Sequence, residues 1–309
     1  MAAPRILVVG STMIDLVAYA DRLPGDGETV IGTSYETGFG GKGANQAVMA
    51  ARFGADVAMV NTVGDDGHGT AYLEKLAQEG IDTSFMRRVP GSSGVAPIWV
   101  DAAGTNRIIV VPGANGQVLP EVAAQAVKTF RPDVVIGQFE IPQSTTAAGF
   151  GAAREIGATT VLNPAPAAPV DPALLAVTDW LIPNAPEFAL IAERPMGDSP
   201  GDVVDTVRAF GERLGVSIVV TLGERGALVV PVGEAEAWVQ APEVVAIDTT
   251  GAGDAFVGAF AVGLALRRTP VAAVRLGCAA AADSVTRRGT QASYADRAAA
   301  DTILQATPA

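Results

Sequence analysis

The chain has 309 residues, of which 49% are hydrophobic and 17% charged, enough apolar material for a large core and too much for a disordered chain. Its net charge of −12 comes without any Lys/Arg run, which excludes the basic face that nucleic acid demands. One cysteine, Cys278, and one histidine, His68, exclude an intramolecular disulfide and a thiolate- or histidine-based metal site.

The N-terminus leads into a short apolar run ending at Gly10. That run is too short for a signal-peptide core or a membrane span, so the expectation is a soluble, cytoplasmic protein with no membrane partner. The same run, Ile6–Val9, is the first predicted strand. Residues 12–40 then alternate like strands around a turn at Leu23–Gly27. A helix follows over Ala44–Phe53, a strand over Val57–Asn61 and a helix over Gly69–Glu79. Residues 92–111 alternate again around Asp101–Gly104. Next come a helix over Pro120–Phe130, a strand over Val134–Ile136, a helix over Ser144–Ile156 and a strand over Thr159–Leu162. Strands over Trp180–Ile182 and Ile218–Thr221 flank a helix over Val203–Leu214, and the chain from Gly251 reads as mainly helical.

The predicted strands lack polar alternation, so helices should cover both faces. This β-α order predicts a three-layer α/β/α sandwich with a mostly parallel sheet, and ligands at the carboxyl ends of its strands. Segments 12–40 and 92–111 are either two surface hairpins or one small second sheet serving as a lid. With the lid reading, the core comprises 1–11, 41–91 and 112–309.

Two glycine-rich stretches carry chemistry. Gly38-Phe39-Gly40-Gly41-Lys42-Gly43-Ala44-Asn45-Gln46 lets backbone approach a ligand and opens a helix. Lys42 and Asn45 add donors there, as a polyhydroxyl ligand needs. It is not a Walker A loop, because Gly43 rather than Ser or Thr follows Lys42. Asp248-Thr249-Thr250-Gly251-Ala252-Gly253-Asp254 opens a second helix whose free amides would meet developing negative charge. Asp254 in its first turn suits the carboxylate that accepts a hydroxyl proton in phosphoryl transfer. His68, at a predicted helix start, is read as a capping or solvent-facing residue.

These two motifs, in this order, resemble the signature pair of the ribokinase-like (PfkB) carbohydrate kinases, and the resemblance runs from Gly10 to about Ser293. It implies an ATP-dependent kinase acting on the terminal hydroxymethyl of D-ribose. Asp254 would be the general base, with Gly251, Ala252 and Gly253 as the anion hole. Met13, Asp15, Gly41, Lys42, Gly43, Asn45, Glu140 and Asp254 would hold the sugar. Thr221, Leu222, Gly223, Glu224, Arg225 and Gly226 would form the nucleotide loop, with Gly253 and Cys278 also near ATP. Asn184 and Glu187 match an element near Mg2+ and the phosphates. Asp248, Thr250, Ser284, Arg287, Gly289 and Ser293 match a K+ site built mostly from carbonyls. The family also implies a homodimer joined through the lids.

Several points stay open in the sequence. Asn184 and Glu187 read equally as a helix N-cap with a capping-box acid. Cys278 reads equally as a buried helical thiol. Many relatives carry Asn where this chain has Met13, and methionine cannot donate to a sugar hydroxyl. A kinase for a ketohexose or nucleoside, or a non-catalytic sugar or nucleotide sensor, are the competing readings.

Overall fold

The structure is a computed structural model that describes residues 3–197 and 199–308. It opens with strands β1 (Arg5–Val9), β2 (Met13–Tyr19) and β3 (Ser34–Gly40), then α1 (Lys42–Arg52), β4 (Asp56–Gly64), α2 (Gly67–Gln78) and β5 (Met86–Val89). There follow β6 (Val95–Val100), β7 (Asn106–Ile108), α3 (Pro120–Phe130), β8 (Val134–Gly137), α4 (Gln143–Glu155) and β9 (Thr159–Leu162). Next are α5 (Pro172–Leu175), β10 (Trp180–Leu181), α6 (Ala185–Ile191), α7 (Pro200–Leu214) and β11 (Ser217–Thr221). The chain ends with β12 (Ala227–Val230), β13 (Ala237–Val239), α8 (Ala252–Ala265), α9 (Pro270–Ser284) and α10 (Arg297–Ala306).

Nine strands form one sheet in the order β13-β12-β11-β10-β9-β8-β1-β4-β5. Every pairing from β11 to β5 is parallel, and β12 and β13 turn back antiparallel at one edge. Helices on both faces explain the continuous apolar strands. Ile6 and Val8 of β1 enter one core, with α1, α2, α8, α9 and α10. Leu7 and Val9 enter the other, with α3, α4, α6 and α7. The result is the expected three-layer α/β/α sandwich.

The predicted strands and helices all form, with shifted ends. Helix α7 starts at Pro200 rather than Val203, because Ser199 and Asp202 build a capping box around a proline suited to the first turn. Strands β5, β12 and β13 and helix α5 go beyond the sequence reading, while α6 follows the N-cap reading of Asn184 and α10 lies in the stretch read as mainly helical. Strands β2, β3, β6 and β7 join in one separate sheet, ordered β3-β2-β6-β7, instead of two hairpins. Its β2–β6 pair is parallel and its other pairs are antiparallel. Among the described residues no helix is long and apolar enough to cross a membrane.

Candidate active site

Side chains with chemistry gather where β1, β8, β9, β10 and β11 end and α1 and α8 begin, the crevice expected of an open α/β sheet. A glycine opens each of the two helices. Gly41 caps α1 at φ +87° and Gly251 caps α8 at φ +77°. A Cβ at Gly41 would stand 2.7 Å from the Met13 amide nitrogen, and one at Gly251 would stand 2.6 Å from Thr290 Cγ2. Only glycine meets both the left-handed backbone and the crowding. The hydroxyl of Tyr294 donates to the Gly251 carbonyl at 2.9 Å and fixes the turn from behind.

The first amides of α8 are unevenly committed. Ala252 N–H donates to the Thr249 carbonyl at 3.2 Å. The amides of Gly253 and Asp254 have no acceptor among the described residues. Among residues 251–254, the N-terminus expected to serve as an anion hole, the Ala252 N–H closes the preceding turn, and the amides of Gly253 and Asp254 are left open.

The Asp254 side chain lies in the first turn of α8 and is only 6% exposed. One of its oxygens accepts from Asn45 Nδ2 and the other from Gln46 Nε2, both at 2.9 Å. Helices α1 and α8 pack directly against each other, so consecutive side chains of one helix reach both oxygens of the other. Asn45, expected at the sugar, is thus a partner of Asp254.

Two more carboxylates face the same space. Glu140, just beyond β8, accepts from the Ser11 hydroxyl and from the Lys42 amide. Asp15 lies on β2 of the small sheet, and neither of its oxygens meets a protein donor among the described residues. Burial first, and then the charges of Glu140 and Asp254, push its carboxyl up to about 7. Burial disfavours the Lys42 ammonium, yet Asp254, Glu140 and Glu187 outweigh it and hold its pKa above the ordinary value. Gly43 follows in α1, where its amide donates to the Ser11 hydroxyl. Met13, buried at the start of β2, brings its sulfur to 3.8 Å from Asn115 Nδ2.

Further along the crevice Asn184 caps α6, and the capping box with Glu187 forms in full, with both bonds at 2.8 Å. Glu187 Oε2 is spent there and Oε1 is left over. Burial raises the Glu187 pKa, opposed by the Asn184 amide and by Lys42. The next loop, Thr221–Gly226, is tied to it by the Thr221 amide donating to the Pro183 carbonyl at 3.0 Å. Leu222, Gly223, Glu224 and Arg225 make a single tight turn there before Gly226. Cys278 packs among the apolar side chains of the first core, and burial pushes its thiol up to about 12. That is the behaviour of a structural helical thiol.

The loops before α8 and after α9 are clamped together. Asp248 accepts from the Thr250 amide and hydroxyl on one oxygen and from the Gly289 amide at 2.9 Å on the other. Arg287 Nε donates to the Ser293 carbonyl, and the Arg287 amide donates to the Ser284 carbonyl. The carbonyls of Asp248, Thr250, Arg287 and Gly289 meet no donor among the described residues.

Comparison with known proteins bears directly on this arrangement. The family described as pfkB family carbohydrate kinase matches residues 3–297. The chain belongs to that family. Ribokinase from Bacillus subtilis is 38% identical over 302 residues, which is 97% of this chain and 99% of the relative. Deoxyribokinase from Salmonella typhi is 38% identical over 296 residues, 94% of this chain and 95% of the relative. Among solved structures, Arabidopsis thaliana ribokinase complexed with ribose and ATP superposes with a TM-score of 0.90 at 30% identity, covering 98% and 99% of the two chains. The protein is a sugar phosphotransferase with the ribokinase-like fold.

This pfkB-family kinase brings further residues to the crevice. Gln46, a glutamine in the alanine-rich run of α1 and so visible in the sequence, bonds Asp254, and Ser11 bonds Glu140. Gln138 donates to Gln46, Gln46 to Asn163, and Gln291 to Asn45 and the Tyr72 hydroxyl. Tyr72, Asn163, Gln291 and Tyr294 have no local signature, because only the fold brings them there.

Proposed function

We propose that this kinase transfers the γ-phosphoryl group of ATP to the terminal hydroxymethyl oxygen of a pentose, D-ribose first, giving ribose 5-phosphate. One observation carries the reading: Asp254 stands in the first turn of α8 beside two amides, of Gly253 and Asp254, that have no acceptor. Asp254 takes the proton of the O5 hydroxyl. The O5–P bond then forms as the bond from Pγ to the ADP oxygen breaks, and the two amides meet the charge on the transferred group. Vicinal sugar hydroxyls donate to Asp15, with Glu140, Lys42, Gly41, Gly43 and Asn45 around them. The sheet of β2, β3, β6 and β7 closes over the crevice as a lid, excluding water that would otherwise take the phosphoryl group. The boundaries 12–40 and 92–111 describe that lid.

Asn184 and Glu187 are the residues beside which Mg2+ would be held, Glu187 through its remaining oxygen. Mg2+ supplies neutralisation of the phosphate charges when bound. The nucleotide follows Thr221–Gly226 toward α9, where Cys278 lies. Four carbonyls without donors, of Asp248, Thr250, Arg287 and Gly289, suit a hard monovalent cation. Ser284 and Ser293 border them with carbonyls that already serve Arg287. Steady-state rates in K+ should therefore exceed those in Na+ or in neither cation, and equal rates would remove the site. An ATP substrate and a buried lone thiol suit a cytoplasmic setting.

Met13 favours a second reading, 2-deoxyribose, because its apolar sulfur offers no donor to a hydroxyl beside Asp15. An ADP-release assay across ribose, 2-deoxyribose, fructose and adenosine decides. Ribose should give the highest kcat/KM, and a higher value for 2-deoxyribose would select the second reading. Sugar binding without turnover on any of the four would make the protein a sensor and sink the kinase assignment.

A further inference from the structure

The catalytic carboxylate is the end point of two buried amide chains. A carboxylate only accepts hydrogen bonds, so Asn45 and Gln46 must turn their nitrogens to Asp254 and their oxygens away. Each outward oxygen meets another amide nitrogen. Asn45 Oδ1 accepts from Gln291 Nε2 at 3.0 Å, and Gln46 Oε1 accepts from Gln138 Nε2. The second N–H of Gln46 goes to Asn163 Oδ1 at 3.1 Å, and Asn163 Nδ2 is anchored on the Ile182 carbonyl at 2.9 Å. The second N–H of Gln291 goes to the Tyr72 hydroxyl at 3.0 Å, which in turn donates to the Gly40 carbonyl at the end of β3. The links from Gln138 through Gln46 and from Gln291 through Asn45 point their donors toward Asp254, and the branches through Asn163 and Tyr72 run outward and anchor them on the Ile182 and Gly40 carbonyls.

All of these amides are buried. The far oxygens of Gln138 and Gln291 have no partner among the described residues. An apolar side chain of the same shape would avoid leaving a buried acceptor unmet. What the glutamines supply is therefore their nitrogens. We propose that Gln46 and Gln291 are positioning residues for Asp254. Gln46 acts by direct contact and Gln291 acts through Asn45, and together they hold the ionised carboxylate with a free lone pair aimed at the substrate hydroxyl. This rests on the assignment of Asp254 as the base.

Other charges near Asp254 are Lys42, Asp15 and Glu187, with the phenols of Tyr72 and Tyr294. Gln46→Met and Gln291→Met leave all of them in place; the first also takes the acceptor from Gln138 Nε2, and the second a donor from the Tyr72 hydroxyl.

The test is kinetic and spectroscopic on the full chain. In Gln46→Met, kcat should fall about 10- to 100-fold, the scale of a misaligned catalytic group. Gln291→Met should lose less, being one residue further back. KM for ATP should stay within about twofold in both, and KM for sugar should change less than kcat, since the lost donors serve Asp254 before they serve the sugar. The second readout needs no turnover. In protein labelled with 13C-aspartate, the carboxyl resonance absent from Asp254→Asn identifies residue 254, and its chemical shift at fixed pH should move in both variants as donors are lost. A loss of kcat and thermal stability together, with that resonance unmoved, would reduce the glutamines to packing and overturn the proposal. So would kcat within about twofold of the parent in both variants. Should Gln46→Met fail to fold, Gln291→Met decides alone. A wild-type chain that phosphorylates no sugar would remove the base assignment, while the resonance would still report whether the amides hold the carboxylate.

Discussion

Asp254 has donors on both oxygens, so its replacement by asparagine exchanges one acceptor for a donor that faces Asn45 Nδ2 or Gln46 Nε2. Flipping one of those amides passes the clash to Gln291 or Gln138, whose nitrogens they accept from, so the cost to folding should be about 1–3 kcal/mol. The cost to chemistry should be larger. Asp254→Asn is expected to lose about 10²- to 10⁴-fold in kcat, the share of general-base catalysis. Single-turnover rates at saturating substrates measure this, and a near-normal rate would dismiss Asp254 as the base. Asp15 yields a prediction in pH. Its folded-state value of about 7 lies above the ordinary aspartate value of about 4, so the folded chain keeps a proton that the unfolded chain gives up. The stability this group contributes is present below the ordinary value and is lost as pH rises through 7. The urea midpoint of the ligand-free protein should thus decline from pH 5 to 8 by more than that of Asp15→Asn. Sugar hydroxyls donate to the ionised form, so sugar affinity should strengthen over the same range. Calorimetry in buffers of different ionisation enthalpy should show proton release on binding. A midpoint difference independent of pH would remove Asp15 from this role.

At the scale of elements, the N-terminus of α8 is the sensitive part. Gly251→Ala forces a side chain into the left-handed region and against Thr290 Cγ2 and the Tyr294 hydroxyl. It should cost about 1–3 kcal/mol and shift the amides of Gly253 and Asp254. Gly253→Ala, two residues on, meets nothing within 4 Å and should keep its urea midpoint. Equal midpoints for the two variants would show that the turn at Gly251 carries no such constraint. The sequence showed these elements unevenly, for physical reasons. Long apolar runs such as Ile6–Val9 and Thr159–Leu162, and amphipathic helices such as Pro120–Phe130, are local signals and were legible. The strand at Trp180 was legible as well, whereas β12 and β13, four and three residues long, are too short to show a period of their own. Asn184–Glu187 was ambiguous because one pair of side chains can cap a helix and still face the crevice, and the cap is what the structure shows. The glycine-capped helices stood out in sequence. The amides behind Asp254 did not, since burial of a polar side chain has no local signature.

The whole molecule leaves an apolar strip uncovered on its small sheet. Ile108, Ile109, Val110 and Val111 are 41–54% exposed, with Tyr35 and Trp99 on the same sheet. An exposed apolar patch of this kind marks a surface that meets a partner. A second copy of the chain, docking lid to lid, is the proposed partner. Sedimentation velocity should give a dimer, and Ile109→Asp should give a monomer. A wild-type monomer at micromolar concentration would retire the dimer. The turn that caps α8 is held by Tyr294, and the amides behind Asp254 begin at Gln291, both near the C-terminus. A half-made chain leaving the ribosome carries Asp15 and Lys42 but neither Asp254 nor the residues behind it. If Asp254 is the base as proposed, translation must pass Tyr294 before the site is whole.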